Sequence, residues 1–386
     1  LSEGPSQSPS AKLQEAWFLF AASLIHDGRQ AQLKGDAKAA SAAYAEAARL
    51  DPANIGAWAG LVETLPEGAD LDNAKRRLSE VAGSTPERLG LMAAQLLSRG
   101  LPLAALSLWQ DGKRQSPGQA LWPLNIASAL MALGREEEAE SETKAALALD
   151  PTCREAHKFL GVRKAARGEL FEALGHFAKA DPSDPETQSH RGQALMLLGD
   201  MDGAAQAFAS AAALEPALAS SALMAMHYSL KFTGEDIAKA HLGWGKRFPP
   251  PPRPLARPPA RPRKLGVPLR VGFVSADFRQ HATGIFLPPL LERRDPKQWQ
   301  VYLYANVRKP DILTARFKIL ADVWRDISDL DDSSAARLVQ EDGIDILIDL
   351  NGHTAGNRLG LFALRPAPVQ ATYLDYVGTT GLHQID

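Results

Sequence analysis

The sequence predicts two architectures in one chain: an array of α-helical repeats, then an α/β lobe built on a parallel, doubly wound sheet. Three observations predict this. Glycine and proline recur at nearly fixed steps through the first half. A proline-dominated block, residues 249–264, then interrupts the chain. Beyond it, short apolar runs alternate with amphipathic segments, which is the pattern of strands and crossover helices.

The repeats come first. Glycines at 35, 68, 100, 134, 168 and 199 are separated by 33, 32, 34, 34 and 31 residues. Prolines at 52, 86, 117, 151, 182 and 216 follow at steps of 34, 31, 34, 31 and 34. Three of them share one context: Leu50-Asp51-Pro52, Leu149-Asp150-Pro151 and Leu214-Glu215-Pro216. This period resembles tetratricopeptide repeats, with two antiparallel helices per unit. Each glycine is expected at the turn between helices, where a side chain would clash. Each proline is expected to end one unit and begin the next. Small residues such as Ala39, Ala45 and Ala48 let the helices approach closely. Such units stack into a superhelix with a concave face, and protein or peptide partners are the expected occupants of that groove.

Composition narrows the possibilities. A net charge of −2 over 386 residues gives no support to a nucleic-acid or membrane-surface role. The single cysteine, Cys153, excludes an internal disulfide and a multi-cysteine zinc site, and suits a reducing cytoplasm. No apolar run approaches the roughly 20 residues of a membrane span. Residues 1–14, rich in Ser and Pro at the start, read as a disordered tail and residues 15–248 as the repeats with their linking helices. Residues 249–264 hold eight prolines, four arginines and a lysine, the composition of a semi-rigid polyproline II spacer. Residues 265–386 form the lobe.

Within the lobe, residues 269–275 (LRVGFVS) read as the first strand. Residues 285–292 are apolar and helical only as far as Pro288-Pro289 allow. Residues 300–305 and 323–327 read as strands, with a helix over 314–321 between them. Residues 333–341 read as a helix capped by Ser333 or Ser334. Residues 344–350 read as a buried strand, and 369–374 as another. Ligands in such sheets bind outside the carboxyl ends of the strands. The cluster Asp277 to His281 follows one strand end, and Asn351-Gly352-His353-Thr354 follows another, so a single cleft is expected to collect both. Neither a dinucleotide fingerprint nor a phosphate-binding loop is present, and no ligand spacing suggests a metal.

Residues 362–370, FALRPAPVQ, are followed by Tyr373-Leu374-Asp375-Tyr376 and Gly378-Thr379-Thr380-Gly381. Behind a repeat array, these resemble the O-GlcNAc transferases and their SPINDLY-like relatives. The resemblance implies the first, Rossmann-like half of a GT-B glycosyltransferase. It implies inverting, metal-independent transfer of N-acetylglucosamine from UDP-GlcNAc to Ser/Thr hydroxyls, with the nucleotide sugar as substrate and no cofactor. It also implies that a C-terminal lobe, supplied by continuation of the polypeptide or by a second chain, completes the site. His281 and His227 become candidate bases, and Asp277 the group that holds the tautomer of His281. Thr283 would offer its hydroxyl or N–H to the diphosphate. His353 would line the cleft, and Leu374, Asp375, Tyr376 and Gly378 would contact the sugar. Three departures stand out: Ala282 and Val377 replace usual prolines, and Asp375 a usual glycine. The asparagine ladder of the transferase groove is not evident, since Asn54, Asn73 and Asn125 are the asparagines of the array. Two alternatives remain: GDP-fucose as donor, and a repeat scaffold with a vestigial lobe.

Overall fold

The computed structural model describes residues 9–248 and 266–386. The proline-rich segment, 249–264, lies outside the described residues, as do residues 1–8 of the N-terminal tail. Helix Pro9–Leu33 begins inside the segment read as a tail. A proline tolerated at the first helical position is compatible with that start. No helix among the described residues is long and apolar enough to cross a membrane. The chain divides into two compact units, Leu1–Asp181 and Pro182–Asp386.

The first unit consists of antiparallel helix pairs. Pro9–Leu33 packs on Ala37–Leu50, Ile55–Thr64 on Ala69–Ala82, Pro86–Ser98 on Pro102–Gln115, Leu121–Ala132 on Glu136–Leu149, and Arg154–Ala166 on Leu170–Phe177. Alanines buried along the seams, among them Ala40, Ala47, Ala57, Ala93 and Ala127, explain the high alanine content: a methyl fills the interface without separating the helices. Asp51 and Asp150 are C-caps whose N–H groups bond back to the carbonyls of Ala47 and Ala146. The proline that follows each has no N–H to continue the helix. Pro86 instead occupies the first turn of its helix, behind the Thr85 cap.

The repeating glycines sit at the expected turns, but for a different reason. Gly35, Gly100, Gly134, Gly168 and Gly199 have φ between +72° and +84°. A Cβ at any of them would meet nothing within 4 Å. What selects glycine is the left-handed backbone, not a clash. Clash governs a different set inside the helices. A Cβ on Gly60 would lie 2.5 Å from the Tyr44 ring, and one on Gly161 2.5 Å from the Phe177 ring.

The second unit begins with one more helix pair, Pro185–Leu197 and Met201–Leu214, followed by helices Ala219–Met226 and Gly234–Gly245. Its sheet comprises β1 (Leu269–Ser275), β2 (Trp299–Ala305), β3 (Val323–Asp326), β4 (Ile346–Asp349) and β5 (Val369–Thr372). The order is β3-β2-β1-β4-β5 and every pairing is parallel. Both faces are covered. Phe273, Val301 and Leu303 point into one core with Phe278 and Phe317, while Tyr302 and Tyr304 point into the other with Ala336, Val339 and Phe362. Two-sided burial is why these strands read as unbroken apolar runs.

Several boundaries differ from expectation. The apolar segment after β1 makes two short helical turns, Ala282–Phe286 and Pro288–Glu292, with Pro288 opening the second. The helix expected over 314–321 spans Ile312–Leu320 and is capped by Asp311. The next spans Asp332–Glu341, and its cap is Asp331, whose carboxylate accepts from Ser334 N–H. A carboxylate caps as well as a hydroxyl, so either side chain satisfies the pattern. The strands β4 and β5 are shorter than their apolar runs. Asp349 ends β4 by accepting from the N–H groups of Asn351 and Gly352, which turns the chain.

Candidate active site

In this strand order the connections leave the sheet in opposite directions from β1 and β4, so a crevice opens at their carboxyl ends. The chain places its polar side chains there. Asn351, directly after β4, is 2% exposed and joins the two strand ends. Its Oδ1 accepts from Ala276 N–H at 2.9 Å. Its Nδ2 donates to Asp277 Oδ2 at 2.8 Å and to Thr354 Oγ1 at 3.0 Å. The loop after β1 is pinned further: Asp277 N–H donates to Ser275 Oγ at 2.9 Å, and Gln280 N–H to Asp311 Oδ2 at 2.6 Å. Gly284 packs against the Arg279 carbonyl so closely that a side chain has no room.

This scaffold presents His281, the N-cap of the turn Ala282–Phe286. Its Nδ1 is 3.4 Å from Thr283 Oγ1, 3.9 Å from Asp375 Oδ1 and 4.0 Å from Asp277 Oδ1. Asp375 belongs to the loop after β5. Burial holds its carboxyl above the usual range, an effect opposed by the nearby His281. Asp277, expected to hold the His281 tautomer, does not hydrogen-bond to it. Its two oxygens accept from Arg279 Nη2 at 2.9 Å and from Asn351 Nδ2. The donor atoms of Asp277, His281 and Asp375 lie within 4.8 Å of one another, close enough to share a cation, yet both Asp277 oxygens are already engaged as acceptors.

The remaining candidates assemble elsewhere in this unit. His227, His353 and Tyr376 surround a histidine to which the sequence assigned no role, His241, which is fully buried, and Gly378 packs on His227. His241 Nδ1 lies 2.7 Å from the Ile237 carbonyl and therefore carries the proton, so its Nε2 accepts from the Tyr376 hydroxyl at 2.6 Å. His353 Nε2 donates to the Thr380 carbonyl at 2.9 Å, and its Nδ1 accepts from Ser220 Oγ at 3.0 Å. At 2% exposed, His353 is packed away, not presented as a cleft wall. Burial pulls its pKa down to about 4 and lowers those of His241 and His227. His227 packs edge-on to Tyr376 and against Gly378, where a Cβ would lie 2.6 Å from its ring. Its Nε2 is buried without a hydrogen-bond partner among the described residues. The Tyr376 hydroxyl is thus spent on His241, and Gly378 is required by the His227 ring.

Leu374 has φ +82°, and Asp375 N–H bonds to the Tyr373 carbonyl at 3.2 Å, a tight positive-φ turn that sets the direction of Asp375. Thr283 is fully buried. Asn351 and Arg279 fall within the two clusters that the sequence places at the cleft, but nothing in it singles them out as the residues that brace Asp277; His241 carries no such signal.

The motif that pointed to a family is structural in its contacts. Phe362 is fully buried. Arg365 donates to the Gln384 carbonyl at 2.6 Å and pairs with Asp386. Gln370 Nε2 donates to the carbonyls of Phe362 and Gln384. Arg358 likewise binds Asp332 and the carbonyls of Ile327 and Leu330.

With this geometry in place, comparison with known proteins is specific for the lobe. Residues 256–386 match the family model for glycosyl transferase family 41. Residues 124–153 match that for a tetratricopeptide repeat. Beyond the family 41 match, the chain is 41% identical over 170 residues to the Hordeum vulgare protein named probable UDP-N-acetylglucosamine–peptide N-acetylglucosaminyltransferase SPINDLY, a stretch covering 42% of this chain and 18% of that protein. The Arabidopsis thaliana SPINDLY protein is 39% identical over 173 residues, with the same coverage. The Arabidopsis thaliana protein SEC, named likewise, is 34% identical over 31% of this chain and 12% of its own length. This chain thus spans under a fifth of the length of the curated relatives it matches. A solved Thermobaculum terrenum O-GlcNAc transferase mutant aligns over 99% of this chain and 54% of its own, at 25% identity and a TM-score of 0.40.

Proposed function

We propose that this chain carries the repeat array and one lobe of a protein O-glycosyltransferase. In this reading it transfers N-acetylglucosamine from UDP-GlcNAc to Ser or Thr hydroxyls in the cytoplasm. The observation that carries the reading is the family 41 match over the lobe, whose strand ends hold the Asp277–His281–Asp375 group. The acceptor hydroxyl attacks C1 of the sugar from the face opposite the diphosphate. Its proton passes to a ring nitrogen of His281, the C1–oxygen bond breaks, and the nucleotide diphosphate leaves with the electron pair. The repeats bind the protein acceptors, and a second lobe of the GT-B type closes the crevice over the nucleotide.

The reaction as written uses a base and no resident metal or cofactor. The first test is calorimetric titration of the chain with UDP-GlcNAc, UDP and GDP-fucose, paired with a transfer assay on peptide acceptors. Saturable binding of the UDP ligands, with transfer abolished in His281→Ala while binding persists, supports the reading. Preference for the GDP ligand moves the donor to fucose. Binding of neither nucleotide overturns the assignment for this chain.

A further inference from the structure

The feature that departs most from the family pattern is the carboxylate of Asp375. It is placed deliberately. Leu374, which is not glycine, holds φ +82°, a strained conformation that persists only where the surroundings enforce it. The turn it makes, closed by Asp375 N–H to the Tyr373 carbonyl, directs the Asp375 side chain into the crevice, where 11% of it is exposed.

Two carboxylates then face the same imidazole nitrogen, but they are not equivalent. Asp277 already accepts from Arg279 and Asn351. Asp375 receives a long contact, 3.5 Å, from Thr354 Oγ1, and the Thr283 hydroxyl favours its charged form. A carboxylate accepts and does not donate. Of these two groups only the Thr283 O–H can donate, which would leave its oxygen to accept. The group 3.4 Å from that oxygen is His281 Nδ1.

We infer that Asp375, acting directly and through the Thr283 hydroxyl, fixes His281 as the Nδ1–H tautomer and leaves the Nε2 lone pair facing the crevice. Asp375 and Thr283 are positioning residues in this arrangement, and Asp277 braces the loop. The use of the Nε2 lone pair as proton acceptor rests on the transfer reading above; the tautomer itself does not. Direct Coulombic attraction to Asp375 Oδ1, 3.9 Å away, works in the same sense, because it favours a proton on the facing nitrogen.

The experiment is long-range proton–nitrogen correlation on the full chain labelled with nitrogen-15 histidine, at pH 8, with His281→Ala assigning the resonance. The expected wild-type signal is predominantly Nδ1–H. Asp375→Ala and, separately, Thr283→Val should each transfer at least half of the population to Nε2–H, whereas Asp277→Asn should leave Nδ1–H in the majority. Circular dichroism and unchanged His353 resonances establish that each variant is folded; should Asp375→Ala fail that control, the Thr283→Val arm decides. An Nε2–H signal in the wild type, or conversion by Asp277→Asn alone, overturns the inference. An intact Nδ1–H signal in a wild type that shows no transfer activity would count against the transferase reading instead.

Discussion

The Tyr376 hydroxyl donates to His241 Nε2 at 2.6 Å across 135 residues of chain, which ties the loop after β5 to helix Gly234–Gly245. The same loop carries Asp375. Tyr376 thereby anchors the part of the crevice wall that the β5 turn sets in place, and it does so from inside a buried cluster with His227 and His353.

Tyr376→Phe removes that hydroxyl and leaves the buried His241 Nε2 without its donor. The expected cost is about 1–3 kcal/mol, read as a lower urea midpoint at pH 8. A midpoint equal to wild type would mean that the bond contributes nothing net.

Acid should destabilise this cluster. The pKa of His353 is held at about 4 in the fold against 6.5 unfolded, and those of His241 and His227 are lowered by the same burial. The neutral rings belong to the native state, so the unfolded chain takes up protons first. Their contribution is complete above pH 6.5 and is lost as pH falls from there toward 4; for His353 alone that loss is about 3 kcal/mol. Urea titrations followed by tryptophan fluorescence, at pH 8 and pH 5, test this in wild type and in His353→Gln. A wild-type stability that does not fall across that window, or falls equally in the variant, would refute the assignment to His353.

In the repeats the sign reverses at one residue. The Glu63 carboxylate accepts from Ala104 N–H at 2.9 Å, capping a helix of the following repeat whose own N-cap, Leu101, has no side-chain hydrogen bond. Burial raises its pKa from 4.5 to about 7. The folded state therefore binds the proton more tightly. The contribution is present below pH 4.5 and lost as pH rises through 7. Glu63→Gln keeps an acceptor oxygen and removes the charge, so it should stabilise the repeats by about 1–3 kcal/mol at pH 8 and by little at pH 4.5. A variant less stable than wild type at pH 8 would show that the charged cap outweighs its desolvation.

Two glycines that look alike in the repeat pattern should respond differently. Gly168→Ala forces a side chain into φ +78° with open space around it, at about 1 kcal/mol, and Gly168→Asn should recover part of that because asparagine tolerates the left-handed region. Gly161→Ala drives a methyl into the Phe177 ring, at about 1–3 kcal/mol, and Gly161→Asn should be worse than alanine. Thermal unfolding of the four variants separates the two causes; the same ranking at both sites would contradict the distinction.

Periodicity alone was enough to predict the helix pairs and the parallel sheet, because both depend on local rules. A left-handed glycine or a proline interrupts a helix wherever it falls, and a strand covered on both faces must be apolar throughout. His281, Asp277 and Asp375 could be named from their places after strand ends and in a familiar motif. How they divide their bonds could not. Asp277 stays 4.0 Å from His281 and hydrogen-bonds instead to Asn351 and Arg279, Tyr376 and His353 turned inward to His241 and Ser220, and FALRPAPVQ became a brace. The bonds to Asn351, His241 and Ser220 depend on partners 74, 135 and 133 residues away in the chain. Hydrogen bonds are short and directional, so only the assembled lobe decides which donor meets which acceptor.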